Sequence, residues 1–367
     1  MRKHHPENER IKRRYLIYLR EAKRLSEASV DQVAAAIADF EDKTGYRDFK
    51  RFHIEQARAF KRALGERVSQ STGKPLAKAT IHSRLMALKA FVQWLSEQPG
   101  FRSRISYSDA EYFNPSANDG RIAKASTPRP VPSLDQIKTV IAAMPDETVI
   151  ERRDRALIAF AILTGARDNA IASLKLKHID IEKRTVFQDA REVRTKRAKT
   201  ITSCFFPIGD EIETIATCWV SELREVHHFG PDDPLFPKTR MAPNDAGLFA
   251  PSGLERDHWR DAGPIRRIFK AAFESAGLPY FNPHSFRNTL TALAERVCTT
   301  AETFKAWSQN LGHEHVLTTF TNYGSVSASR QSEIIGALGQ AGDTEDDNGP
   351  PSPQMVQRVL DHLRERA

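Results

Sequence analysis

The 367-residue chain is 40% hydrophobic and 28% charged with a mean hydropathy of −0.51, long enough for two cored domains. No apolar run reaches membrane-spanning length and the opening MRKHHPENERIKRRY lacks an apolar signal stretch, so a cytoplasmic protein with no membrane partner is expected. The net charge of +8 is uneven: residues 1–125 hold 25 Lys+Arg against 15 Asp+Glu, a balance of +10 that leaves −2 for the rest. A basic first third suits a polyanion, with nucleic acid the first candidate and a plain solvated surface the alternative.

Amphipathic runs predict helices over 8–25, 29–42 and 53–68, and a long one over 79–97 after the polar turn SQSTGKPLAK. In the last, Ile81, Leu85, Leu88, Val92 and Leu95 recur at spacings of four and three, which is a core stripe. Lys78, Thr80, Arg84 and Lys89 lie off that stripe, on a side that suits either a DNA groove or solvent. From 101 onward the period fades into small, polar and Pro residues (NPSANDGRIAKASTPRPVP). That composition predicts a linker over 106–132, between a helical DNA-binding domain (1–105) and a second domain (133–340).

SLDQIKTVIAAM opens the second domain behind a Ser cap, and RDRALIAFAILTGAR is strongly apolar and stops at Gly165, as a buried central helix does. Residues 178–208 alternate and are rich in β-branched side chains, predicting two or three strands with basic turns. Helices are expected again to about 340. An acidic, Gly/Pro-bearing linker with DTEDD at 343–347 and a short final helix then fill 341–367. The fold class expected is mainly α with a small antiparallel β-sheet in the second domain.

The stretch PHSFRNTL (283–290) follows Asn282, a good cap, and places His284 and Arg287 on one face of a helix start. Free N–H groups and the positive dipole end make such a start an anion site, and Arg adds a fork shaped for phosphate. LTGARDNAIASL puts Arg167 just after a helix-ending Gly, and VRTKRAKTITSCFFPI puts Lys196 in a turn between strands with Lys199 as its rival. NLGHEHVLTTFTNYG supplies His313 and, ten residues on, Tyr323.

The ordered set Arg167, Lys196, His284, Arg287, His313, Tyr323 resembles the tyrosine recombinases, or phage integrase family. The motifs span roughly 133–330, and the basic helical first domain is similar in character to that family's core-binding domain. Two departures stand out: Ala170 occupies a position where many relatives carry Glu, and the His-to-Tyr interval is one residue longer than is common. The resemblance implies a two-domain architecture, a helical core-binding domain plus an α+β catalytic domain. It also implies that Tyr323 attacks phosphorus in double-stranded DNA to form a 3′-phosphotyrosyl intermediate. Arg167 and Arg287 would clamp the phosphate, His284 and His313 would donate hydrogen bonds or move protons, and Lys196 would protonate the departing 5′-oxygen. Neither cofactor, metal nor ATP is implied, and the working form would be a homotetramer on two DNA sites.

The same residues have plainer uses. Arg167 could pair with Asp168, and His284, His313 and His315 hint at zinc, but no carboxylate or Cys completes a ligand spacing. The three cysteines (Cys204, Cys218, Cys298) form no Cys-x-x-Cys pattern. A site-specific recombinase or integrase is the function expected. A type IB topoisomerase-like enzyme and a non-catalytic DNA-binding regulator are the alternatives.

Overall fold

A computed structural model describes residues 4–69, 73–125, 130–244 and 247–313. The chain divides into two compact units, Met1–Ser126 and Thr127–Ala367. The first holds the four helices read from the periodicity: α1 (Pro6–Glu21), α2 (Glu27–Lys43), α3 (Ile54–Glu66) and α4 (Lys78–Ser96). Local chemistry starts them: Pro6 occupies the first turn of α1, the Ser26 side chain accepts from Ser29 N at α2, and His53 and Gln56 form a capping box at α3. The α4 stripe (Ile81, Leu85, Leu88, Val92, Leu95) is buried, and Phe91 beside it meets Tyr15 of α1 with ring centroids 5.0 Å apart. Each such side chain contributes on the order of 1.5–3 kcal/mol by leaving water.

A polar knot ties the chain entry to this core. Asn8 Nδ2 donates to Glu41 Oε1 (3.0 Å) and Arg47 O (2.9 Å), and Asn8 Oδ1 accepts from Phe49 N (3.0 Å). Glu41, buried as well, pairs with Lys12, so neither buried group is left without a partner.

The stretch read as a linker is mostly part of this first unit. Residues Tyr107–Phe113 form a 3-10 turn capped by Ser106, and α5 covers Ala117–Lys124. Ala110 and Phe113 are fully buried, with Phe113 set 5.6 Å from Phe40 and 6.0 Å from Phe52. A 3-10 turn shows no 3.6-residue period, and two apolar anchors among polar residues leave little signal.

The second unit is built around α7 (Val149–Thr164), behind α6 (Leu134–Ala143). Every side chain from Ala156 to Thr164 is buried, as an all-round apolar helix must be. After α8 (Asp168–Ile171) come β1 (Ile179–Asp180), β2 (Thr185–Gln188) and β3 (Ile201–Cys204), an antiparallel sheet in the order 1-2-3 with Val186 opposite Ser203. Then follow α9 (Asp210–Glu225), β4 (Thr239–Pro243), β5 (Phe249–Leu254), α10 (Gly263–Ser275), α11 (Pro283–Val297) and α12 (Ala301–Asn310). Paired rings such as Phe160–Phe236 (5.3 Å) and Phe269–Phe286 (4.9 Å) fill the core.

The β4–β5 hairpin corrects the expectation of helices alone after residue 208. Its strands carry little apolar burial; a tertiary anchor holds their base. The buried Arg153 donates to Pro237 O (3.0 Å) and Thr239 Oγ1 (2.9 Å), pairs with Asp154 (2.7 Å) and lies over the Trp259 ring. No described helix is long and apolar enough to cross a membrane. The closing helix and acidic linker expected over 341–367, and helix beyond 313, lie outside the described residues.

Candidate active site

The end of α7 sets the first wall. Gly165 caps it with φ +61°, and a Cβ there would stand 2.9 Å from Leu311 Cδ2 and 3.1 Å from Leu290 Cδ1, so both conformation and space demand glycine. The turn delivers Arg167 as the extended residue before α8, half-buried and without a side-chain hydrogen-bond or ion-pair partner among the described residues. Burial pulls its guanidinium below the ordinary value, and it stays cationic.

The first turn of α11 supplies the facing wall. Asn282 accepts from Ser285 N (3.2 Å), and Thr289 Oγ1 bonds Pro132 O (2.7 Å), which fixes the helix against the start of its own unit. Arg287 is only 4% exposed. Its Nη1 donates to Gly165 O, its Nη2 to Leu311 O (2.5 Å), and Nη2 also lies 3.1 Å from His313 Nε2. Its Nε is buried and unpartnered among the described residues. Burial, and next Arg167, lower its pKa to about 9, which still leaves it charged near neutrality.

His313 reaches this point through a staple between α12 and β3. Cys204 N donates to Asn310 Oδ1 (2.6 Å), Asn310 Nδ2 returns a bond to Cys204 O (2.9 Å), and Ser203 Oγ donates to Asn310 O (3.1 Å). Gly312 then turns the chain at φ +67°, where a Cβ would stand 2.7 Å from Ile201 Cδ1. A guanidinium only donates, so Nε2 of His313 accepts and the ring is neutral with its proton on Nδ1. Burial first, then Arg287, Arg167, His284 and Lys199, lower its pKa from 6.5 to about 4.

His284, at the α11 start, is exposed; the protein beside it lowers its pKa, helped by Arg287, Arg167 and Lys196. Lys196 opens a 3-10 turn between β2 and β3 and is exposed. Its charge bears on His284, that of Lys199 on His313, so the two rival lysines flank the same site. A cleft of 420 Å³ is lined by Arg167, Asp168, Arg266, Asn282, Pro283 and His284.

Four of the six residues singled out from the sequence therefore converge, with both lysines beside them. Tyr323, like His315, lies outside the described residues. Ala170 is buried and brings no carboxylate. The pairing of Arg167 with Asp168 does not form: Asp168 is taken by Arg266, whose Nε donates to Oδ2 at 2.9 Å. Arg266 stands 98 positions away and no local pattern points to it. In the first unit Thr80 is exposed, while Lys78 pairs with Asp119 (2.6 Å), Arg84 with Asp39, and Lys89 with Glu111 (2.9 Å).

Arg167, His284 and the first turn of α11 line one cleft, and the buried Arg287 is close enough to act on His284; among the described residues no carboxylate pairs with either arginine. The profile of the phage integrase family matches residues 133–330, over half of the chain. The chain belongs to the phage integrase family. Tyrosine recombinase XerC of Escherichia coli O157:H7 (strain EC4115 / EHEC) is 25% identical over 226 residues, covering 60% of this integrase-family chain. The chain spans 65% of that relative's length. Among solved structures it is similar to the Tn1549 transposon integrase in complex with transposon right end DNA, with a TM-score of 0.57 and 16% identity over 90% of this chain and 99% of that one. It is also similar to the XerH site-specific recombinase bound to difH substrate, with a TM-score of 0.54 and 17% identity over 89% and 84%. These likenesses show the tyrosine-recombinase fold: a mainly helical chain in two domains with small antiparallel sheets.

Proposed function

We propose that this integrase-family chain is a site-specific DNA recombinase that cuts and rejoins duplex strands through a covalent 3′-phosphotyrosyl intermediate. The observation that carries the proposal is Arg287, a buried cation beside a second arginine, with its Nε unpartnered and no carboxylate on either arginine among the described residues. Buried like charges are costly unless an anion joins them, and a phosphodiester supplies that anion.

In the proposed reaction Arg167 and Arg287 hold the non-bridging oxygens, where charge grows in the transition state. The Tyr323 oxygen bonds to phosphorus as the bond to the 5′-oxygen breaks. His284, neutral near pH 7, accepts the phenolic proton, His313 donates a hydrogen bond to the phosphate, and Lys196, with Lys199 as the alternative, supplies a proton to the 5′-oxygen. The phosphotyrosyl linkage keeps the bond energy, so a second strand's 5′-hydroxyl reverses the step without ATP or metal. Duplex DNA is the partner, a homotetramer on two sites the working assembly, and the cytoplasm the compartment. The family resemblance supports these, as do the basic first unit and the carboxylate-free clamp.

Covalent capture of host DNA followed by sequencing of the attached strands tests the proposal and finds the target. Tyr323→Phe should abolish capture on a nicked duplex carrying that site while binding persists. Normal capture by the Phe variant would remove Tyr323 from its role. Relaxation at one site without partner exchange would make the enzyme topoisomerase-like, and binding without capture by the unaltered chain would make it a regulator.

A further inference from the structure

The cleft wall contains one carboxylate among the described lining residues, Asp168, directly beside Arg167 in sequence. A carboxylate next to a clamp arginine is a competitor for it, because Asp offers the same pair of acceptor oxygens as a phosphate. Here that competition is settled by a third residue. Arg266, in the first turn of α10, donates from Nε to Asp168 Oδ2 (2.9 Å), and its Nη2 lies 2.8 Å from the same oxygen. The other oxygen, Oδ1, accepts from Asn169 N at 2.9 Å. Both oxygens are thus committed away from Arg167, whose guanidinium is left without a described partner.

We propose that Arg266 is a positioning residue: by holding Asp168, it keeps Arg167 free to clamp the phosphate. The inference rests on the phosphate-clamp reading above. The geometry favours this over two other roles. As a stabilising ion pair Arg266–Asp168 is worth little, since the arginine is 57% exposed and the aspartate 21%. As a direct phosphate ligand Arg266 would offer only its remaining Nη hydrogens unless it left Asp168, which would restore an unpaired negative charge at the mouth of an anion site. Holding the aspartate needs no such exchange. Ala170 sharpens the point: with no carboxylate at that buried position, Asp168 is the one acid among the described lining residues of the cleft, and its pairing decides the charge Arg167 presents. Tyr280 lies near enough to feel both Arg266 and Asp168.

The test uses the full-length chain and a nicked suicide duplex carrying the captured target site. Arg266→Met keeps the aliphatic stem and removes the fork. It should slow covalent complex formation at saturating DNA by on the order of tenfold, as Asp168 turns to Arg167. Adding Asp168→Asn to the same chain should recover most of that deficit, since an amide does not compete for a guanidinium as a carboxylate does. Arg266→Lys, which retains a charge but not the fork, should fall between. Thermal unfolding midpoints of all variants separate a folding defect from a rate effect. Failure of the unaltered chain to form any covalent complex sinks the recombinase proposal itself. A normal rate for Arg266→Met overturns the positioning role. So does a slow rate that Asp168→Asn does not repair, because Arg266 would then act on DNA directly.

Discussion

His313 and Arg287 show how a few ångströms of packing set a protonation state. Burial in the surrounding protein first, and then the guanidinium at 3.1 Å, hold His313 near pKa 4, against 6.5 when free. Between those values the unfolded chain binds more protons than the folded one. Stability is therefore full above about pH 6.5 and is lost as pH falls toward about 4, with His284, also lowered, acting in the same direction. Unfolding midpoints measured across this window should fall with acid, and His313→Asn should flatten the profile. A bound phosphate opposes the local positive field and raises both imidazole pKa values, so DNA binding should take up protons and tighten as the pH is lowered toward the free protein's value of about 4 for His313. A pH-independent dissociation constant would argue against DNA phosphate at these rings.

Elements matter through their ends. The Gly165 turn carries two loads at once: it lets α7 stop against Leu311 and Leu290, and its carbonyl receives Nη1 of Arg287. Gly165→Ala adds strain at positive φ and crowds both leucines, a destabilisation of roughly 1–3 kcal/mol or more that calorimetry would register as a lower midpoint. Covalent capture should fall further than stability accounts for, because Arg287 loses its anchor. On α4 the polar flank is occupied: Arg84 and Lys89 already hold Asp39 and Glu111. Surface pairs are worth only about 0–1 kcal/mol when exposed, and these are partly exposed, so a DNA phosphate can compete for either cation. If α4 faces DNA, Arg84→Ala with Lys89→Ala should weaken binding and reduce the salt slope by about 1 for each phosphate no longer neutralised. An unchanged slope would place the DNA elsewhere.

For the whole molecule the clamp chemistry predicts metal independence. Arg and Lys provide the charge, and among the described residues no three His, Cys, Asp or Glu side chains gather to hold an ion. Strand cleavage should proceed in excess EDTA; arrest by EDTA with rescue by a divalent cation would rule the proposed mechanism out. Assembly is tested at the tail. In the sequence Met355, Val356, Val359, Leu360 and Leu363 recur at helical spacing, and a helix that short is marginal in water unless its stripe is covered. Docked on a neighbouring subunit, it would couple active sites. Deleting 345–367 should then leave single-site binding nearly intact and impair synapsis and strand exchange, whereas recombination at the full rate would reduce the tail to an appendage.

Much of this was legible in one dimension because the signals are local. The stripe of α4, the all-apolar run of α7 and its Gly165 stop, the Asn282 cap ahead of His284 and Arg287, and the alternation that becomes β1 to β3 each depend on residues within a few positions of one another. The order of the motif residues carried the family as well. What the tertiary structure alone decided are matters of partner choice across long separations. Phe113 joins the first core through Phe40 and Phe52, so a stretch that reads as linker is folded. The β4–β5 hairpin stands on Arg153, more than 80 residues from the Pro237 and Thr239 atoms it binds. Asp168 is held by Arg266 on α10 instead of by its neighbour Arg167. A charged side chain has several acceptors within reach of its composition, and only the packing that brings one of them to hydrogen-bond distance selects among them.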